Sequence, residues 1–151
     1  MPAKEWVTTL AILKARSVCR SYESSRGTVL AADTVCVVGG QLLGQPVDEA
    51  MARDMVLSMK NRTHEVHTGW CLKSLGGKRT VHGCETTLVT IGEIDTKELD
   101  IYMVSGLWRG KAGGYNLVER LHAGWPLTWE GDPTNVMGLP MDRLVAELSR
   151  K

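Results

Sequence analysis

The chain has 151 residues, a formal net charge of +1, 43% hydrophobic residues and 23% charged residues. These values predict one soluble globular domain over residues 1–151. The near-neutral charge gives no electrostatic case for binding nucleic acid or an anionic membrane, and no long uncharged apolar run or signal-peptide pattern is present. The four cysteines lack the spacing of a zinc site or a disulfide framework, so we place the protein in the cytoplasm.

The first part of the chain predicts a helix and then a long strand. Residues 5–19 carry apolar residues at helical spacing, and Lys14 falls on their apolar face. Residues 28–38 are strand-like and lead into a Gly-Gly hairpin turn. Asp33 interrupts this apolar strand, although a buried carboxylate is costly unless it is paired, hydrogen-bonded or bound to a metal. It therefore either caps a turn or ends the strand as a metal-binding or water-activating group.

The rest of the chain alternates between strand and helix signals. Caps, turns and periodicity predict a helix over 49–60, strands over 63–74 and 79–91, a helix near 96–105, a short strand near 127–129, and a final helix after Pro140 that buries Leu144, Val145 and Leu148. This mixture, with two hairpins, predicts an α/β fold with a mixed, twisted sheet flanked by helices.

Three features outside Asp33 could carry chemistry, and each has an ordinary structural alternative. Lys14 either extends to solvent from the edge of its helix or points into a polyanion pocket. The loop GKAGGYN (110–116) combines glycines with Lys111, which suits phosphate but is also typical of a plain turn. The pair His64 and His67 lies in a strand-like segment that would send them to opposite faces, which favours a structural role over a zinc site.

Taken in order, several segments resemble the Maf family of nucleotide pyrophosphatases. They are LAILKA (10–15), LAADTVCVVGGQLLGQP (30–46), DEAMARDMV (48–56), HEVHTG (64–69), GKAGGYN (110–116) and GDPTNVMGLPMDRL (131–144). Nearly the whole chain is covered. The combination in one order is specific, whereas any one segment alone is not.

The resemblance implies the fold shared with inosine triphosphate pyrophosphatases, with a central cleft. It implies hydrolysis of a nucleoside triphosphate to the monophosphate and pyrophosphate with Mg²⁺ or Mn²⁺, and it makes Asp33 the catalytic and metal-binding carboxylate. Lys14 and Lys111 match catalytic positions that face the triphosphate. The substrate-binding positions that the resemblance implies are Thr34, Gln45, Thr68, Gly69 and Gly113.

The chain departs from the family pattern at three places. It begins after the family's arginine-bearing phosphate loop, so the domain is N-terminally shortened. It carries LGQP with Gln45 where the family has LGKP. A position that influences the choice of base, usually Gln or Glu in the family, falls on Val118, beside Glu119. The identity of the substrate base, including a modified or non-canonical one, stays open.

The alternative to an enzyme is a weak or inactive Maf-like nucleotide-binding or cell-division regulatory protein. Loss of a strand would expose a sheet edge, which favours a homodimer.

Overall fold

A single antiparallel sheet organises the fold. The structure is a computed structural model that describes residues 1–150, and within them five strands run in the order β2-β1-β3-β4-β5. The strands are β1 (Gly27–Val38), β2 (Gln41–Leu43), β3 (Arg62–Leu75), β4 (Thr80–Ile91) and β5 (Leu127–Glu130). All ladders between these strands are antiparallel.

The helices cover both faces of the sheet. They are α1 (Ala3–Ser21), α2 (Glu49–Met59), α3 (Thr96–Ser105), α4 (Leu117–His122), α5 (Pro133–Val136) and α6 (Met141–Leu148), with a short 3₁₀ turn at Ala112–Gly114. Helix α1 packs on one face and forms a small core there with β1 and β3. The larger core lies on the opposite face, between the sheet, α2, α3 and the loops that follow. None of the helices in residues 1–150 combines the length and apolar character that a membrane crossing requires.

The predicted α/β class with a helix-flanked sheet is confirmed, but the strand directions require a correction. The sheet is antiparallel rather than mixed, and the parallel pairing seen outside the named strands is one bridge between Lys60 and Ile91. Hairpins explain this result, because short turns join β1 to β2 and β3 to β4, and a tight turn joins only antiparallel strands.

The final helix is also less buried than its sequence predicted. Leu144 is buried against Trp70 and Leu72 of β3, whereas Val145 and Leu148 are more than half exposed. Helix α6 is only two turns long and touches the sheet along a single narrow stripe. Val145 points about 100° away from Leu144, and Leu148 is the last residue of the helix, so Leu144 alone of the three predicted residues reaches the core.

The contact between α1 and β3 depends on Gly69. A Cβ atom at this position would overlap the backbone of Val7 and Thr8 in α1. Val7 and Ala11 are fully buried on the same side of the helix. A residue without a side chain therefore lets the helix lie directly on the strand.

We expect Gly69→Ala to lower the free energy of unfolding by about 3 kcal/mol or more, at the upper end of overpacking costs, because helix backbone must move to accommodate the methyl group. Gly44→Ala is the matched control, since an added Cβ there meets no atom within 4 Å beyond its chain neighbours. Urea unfolding measures both variants. Equal stability of the two would contradict tight packing at Gly69.

Candidate active site

A cavity of about 240 Å³ lies beside residues 32–34 of β1, where β3 is paired with β1 on one side and β2 does not extend along the other. Five separate segments form its walls. The lining residues are Lys14, Ala32, Asp33, Thr34, Gln45, Gly110, Lys111, Ala112, Tyr115, Asn116, Val136, Met137 and Gly138. The structure thus brings together five of the predicted site residues, namely Lys14, Asp33, Thr34, Gln45 and Lys111.

Asp33 lies inside β1 rather than at its end, which corrects its predicted position. The strand continues to Val38 because the turn is made by Gly39 and Gly40. Asp33 pairs with Gly69 of β3, while β2 pairs with β1 only from Cys36 onward. The outer edge beside Asp33 is therefore open, and its side chain is 23% exposed. Burying a carboxylate inside an apolar strand costs free energy, and the partial exposure of Asp33 reduces that cost.

Lys14 reaches across from α1 and binds Asp33 directly. Its Nζ lies 2.5 Å from Asp33 Oδ1 and also donates to the Ala32 carbonyl at 3.2 Å. The Ala32 carbonyl that accepts this hydrogen bond belongs to the lining of the cavity. Two positions were predicted for the Lys14 side chain, one extended to solvent and one pointing into a pocket. The structure shows the second, since Lys14 lines the cavity, although its side chain remains 53% exposed.

Lys111 is also paired with a carboxylate. Its Nζ lies 3.0 Å from both oxygens of Glu119, at the start of α4. Glu119 in turn lies 3.5 Å from an Nη atom of Arg120. The Arg120 guanidinium is buried and stacks over the ring of Tyr102 at 3.9 Å and that of Trp125 at 5.1 Å. These contacts hold Glu119, and through it Lys111, in one place.

Thr68, Gly69 and Gly113 do not line the cavity, although they were predicted as substrate-binding residues. Gly69 contacts α1, as described above. Gly113 donates its N–H to the Gly44 carbonyl at 2.9 Å, and a Cβ there would lie 2.8 Å from the sulfur of Cys36. Both glycines allow close packing beside the cavity, and their role in substrate binding stays a prediction.

Thr68 belongs to a buried network that holds one wall of the cavity. Its hydroxyl donates to the backbone carbonyl of Asn135 at 2.9 Å and lies 2.8 Å from the hydroxyl of Thr34. The side-chain amide of Asn135 donates to the carbonyls of Val66 and Glu85 and to the hydroxyl of Thr87. Asn135 thereby fixes α5 and the residues that follow it onto β3 and β4.

Sequence reasoning missed Asn135, Glu119 and Tyr115 as residues that shape this site. Asn135 and Tyr115 lie inside segments that carried the family resemblance, and Asn116 offers a helix-capping side chain just before Glu119. A cap at Asn116 was the available signal for α4. No local pattern could have paired Glu119 with Lys111, because that contact depends on how a loop folds back on a helix.

The two histidines of HEVH have structural partners, as their alternation predicted. His64 Nε2 lies 2.6 Å from the hydroxyl of Tyr115, and burial lowers the pKa of His64 to about 4. It is therefore neutral near pH 7 and supports the tyrosine behind the cavity. His67, on the other face, contacts Glu65 and Thr86.

We expect Thr68→Val to lower the free energy of unfolding by about 1–3 kcal/mol, because the carbonyl of the buried Asn135 loses the hydroxyl that donates to it and the half-buried Thr34 hydroxyl loses its partner. Thr63→Val is the matched control. Its hydroxyl makes a similar 2.7 Å contact with Thr90, but that pair is exposed, so water replaces the lost partner. Thermal and urea unfolding measure both, and equal effects would contradict a special role for the buried network.

Comparison of the sequence with known proteins shows the family to which this chain belongs. The family model described as Maf-like protein matches residues 1–151. The chain is similar to a dTTP/UTP pyrophosphatase of Salinibacter ruber, with 40% identity over 95% of this chain and 70% of that protein. Proteins of the same name from Pyrococcus furiosus (35% identity, 89% of this chain and 69% of that protein) and Koribacter versatilis (37%, 97% and 74%) are also similar. These names confirm the predicted class of enzyme, the nucleotide pyrophosphatases, and the chain belongs to the Maf family.

Proposed function

We propose that this protein hydrolyses a nucleoside triphosphate to the monophosphate and pyrophosphate in the cavity beside β1. The observation that carries the proposal is convergence. Lys14, Asp33, Gln45 and Lys111 come from distant parts of the chain and line one concave surface. Each residue alone had an ordinary structural explanation, but a carboxylate and two ammonium groups in one cavity are the groups that phosphoryl-type chemistry requires.

The proposed substrate is a pyrimidine nucleoside triphosphate, dTTP or UTP. Support comes from the similar proteins, which are named for these two nucleotides. A modified or non-canonical nucleotide is the second candidate, and one observation favours it. Val118, at the position that influences the choice of base, cannot hydrogen-bond a base through its side chain, and the neighbouring Glu119 is bound to Lys111.

A divalent cation, Mg²⁺ or Mn²⁺, fits this cavity if the substrate supplies most of its ligands. In residues 1–150 no group of three or more His, Cys, Asp or Glu side chains could hold a metal by itself, and Asp33 is the one carboxylate among the lining residues there. Mg²⁺ commonly binds one or two carboxylates together with water and substrate phosphates. Asp33 would hold the ion through its carboxylate, which also contacts Lys14. When bound, the ion would neutralise charge on the phosphates.

The residues of the chain have separate roles in this reaction. A water oxygen attacks the α-phosphorus, the bond from that phosphorus to the bridging oxygen breaks, and pyrophosphate leaves with the bonding electron pair. Asp33 orients this water and accepts its proton. Lys14 and Lys111 stabilise the negative charge that develops on the phosphate oxygens. Lys111 exchanges Glu119 for a phosphate when the nucleotide binds.

A weak or inactive nucleotide-binding protein, with a regulatory role such as in cell division, is the second candidate function. It is favoured by the charge of the cavity, because both lysines are paired with carboxylates, Lys14 with Asp33 and Lys111 with Glu119. Gln45 adds a polar group but no charge. The side chains around the cavity therefore offer a triphosphate little net positive charge.

Pyrophosphate release with Mg²⁺ or Mn²⁺, measured for dTTP, UTP and other common and modified nucleotides, tests the proposed function. We expect Asp33→Asn to abolish release, because the amide cannot accept the proton or replace an anionic metal ligand. The melting temperature should change little, since an exposed ion pair contributes little stability. Asp54→Asn, which removes the same charge from an exposed position on α2, is the control. Retained turnover in Asp33→Asn, or none in the wild-type protein, would contradict the proposal.

Gln45→Lys should increase the rate of pyrophosphate release about tenfold, equivalent to about 1.4 kcal/mol. The new ammonium group would be the one lysine around the cavity without a carboxylate partner, and a charged donor binds phosphate more strongly than an amide does. Gln41→Lys adds the same charge on β2, outside the lining residues. Nucleotide affinity and turnover at low and moderate salt decide the matter, and a silent Gln45→Lys would place residue 45 away from the phosphates.

We further propose a homodimer joined along residues 27–31 of β1, on the outer edge of this strand and outside the lining of the candidate active site. Residues 27–35 pair with β3, while β2 pairs only with residues 36–38, so no other strand of the described chain covers this edge. No charged residue or proline interrupts residues 27–32, and such edges readily pair with another strand. Sedimentation velocity should give about twice the mass of the 16.6 kDa chain, and a monomer at micromolar concentration would contradict the dimer.

The proposed compartment is the cytoplasm. Its support is the state of the cysteines, since Cys19, Cys36, Cys71 and Cys84 are all unpaired, as is usual in a reducing compartment. A fluorescent fusion found outside the cytoplasm would contradict this assignment.

A further inference from the structure

A second concave surface, which we call the basic cavity, lies at the C-terminal end of α1. Its volume is about 330 Å³. Its walls are Arg16, Cys19, Arg20 and Glu23 from the α1 side, and Lys73 with the turn at residues 74–77 from the β3 side. It shares no lining residue with the candidate active site.

The cations of the basic cavity are not neutralised by neighbouring acids. In residues 1–150 no carboxylate lies within salt-bridge distance of Arg16, Arg20 or Lys73, and Lys73 donates only to the Thr80 hydroxyl at 3.3 Å. Glu23 is the single acidic side chain in its lining. In the candidate active site, by contrast, both lysines are paired with carboxylates.

The positive charges of Arg16 and Lys73 both affect the buried thiol of Cys71. Burial raises the pKa of the Cys71 thiol, and the positive charges of Lys73 and Arg16 oppose part of that increase. Arg16 and Arg20 are one helical turn apart on α1, while Lys73 extends from the neighbouring strand. Two structural elements thus present positive charge to one space.

The surroundings extend this positive region. Arg26, Lys78, Arg79 and Arg150 all lie at the same end of the sheet, where β1 begins and β3 turns into β4. Among them, Arg150 contacts the buried Glu147 at 3.6 Å. This concentration is notable in a chain whose formal net charge is only +1, because like charges repel unless an anion lies among them.

The geometry of α1 keeps this region separate from the candidate active site. Successive residues turn by about 100° around a helix, so Lys14 and Arg16 point about 200° apart. Lys14 faces the open edge of β1, whereas Arg16 and Arg20 face the end of β3. One helix therefore contributes cations to two different surfaces.

We infer that the basic cavity is a second anion-binding site, for a ligand that carries two or more adjacent phosphates, such as inorganic pyrophosphate. Guanidinium groups bind phosphate through two parallel hydrogen bonds, and the lining presents three cations from two structural elements against the single carboxylate of Glu23, so adjacent phosphates can be contacted from both sides. Pyrophosphate is also the product that the proposed reaction releases, although binding at this site does not depend on that reaction.

Titration of the ¹⁵N-labelled full chain with sodium pyrophosphate, followed by amide chemical shifts, tests this inference. We expect saturable shifts in residues 16–20 and 73–77. The double variant Arg16→Gln/Arg20→Gln should bind pyrophosphate at these residues at least tenfold more weakly, with less dependence on salt. Its release of pyrophosphate from a nucleotide should match that of the wild-type protein, because neither arginine lines the candidate active site.

The matched control is Arg62→Gln/Lys97→Gln, which removes two exposed cations from the start of β3 and from α3. It should leave the shifts and the affinity unchanged. Shifts confined to the candidate active site, or equal affinity in both double variants, would overturn the inference. A fall in nucleotide turnover in Arg16→Gln/Arg20→Gln would also overturn it, since these arginines would then serve the first site. An inactive wild-type protein that still binds pyrophosphate at residues 73–77 would contradict only the proposed function.

Discussion

The close contact between α1 and β3 is the constraint on which the candidate site depends. At Gly69 the helix backbone lies where a side chain would otherwise be, and this distance sets the height of α1 above the sheet. Lys14 reaches Asp33 and the Ala32 carbonyl only because the helix lies so low. The same helix directs Arg16 and Arg20 toward the end of β3. A packing requirement at one glycine thus determines the position of several charged groups.

Electrostatic balance gives the cavity its particular character. Each of its two lysines is held by a carboxylate, and Glu119 is itself held by an arginine stacked on two aromatic rings. Pairing of this kind keeps the ammonium groups in position before a ligand arrives, which reduces the cost of ordering them. It also means that an incoming phosphate must compete with a carboxylate for each lysine. The pairing therefore orients the ammonium groups but lowers their affinity for phosphate. The basic cavity has the opposite character, because no carboxylate in residues 1–150 lies within salt-bridge distance of Arg16, Arg20 or Lys73.

Much of the secondary structure could be predicted because its signals are local. Helix α3 has the bounds that were predicted, since Asp95 accepts the N–H of Glu98 at 2.7 Å and ends the preceding loop. Asp48 caps α2 in the same way. Helices α4 and α5 were missed because six and four residues are too few for periodicity to show. The strand directions were predicted only in part, because no local signal states which strands become neighbours.

The sequence by itself determined the longer helix and strand segments, the resemblance to the Maf family, and the identity of Asp33, Lys14 and Lys111 as candidates. These features depend on residue type and on spacing along the chain. Only the tertiary structure decided that those three side chains line one cavity and that Lys111 forms an ion pair with Glu119. It also decided that Thr68 and Gly69 make packing and hydrogen-bond contacts outside the cavity lining. It also brought Arg16, Arg20 and Lys73, which are far apart in the sequence, to one cavity. The physical reason is that contacts between side chains far apart in sequence are set by how helices and strands pack, and that packing leaves no local pattern.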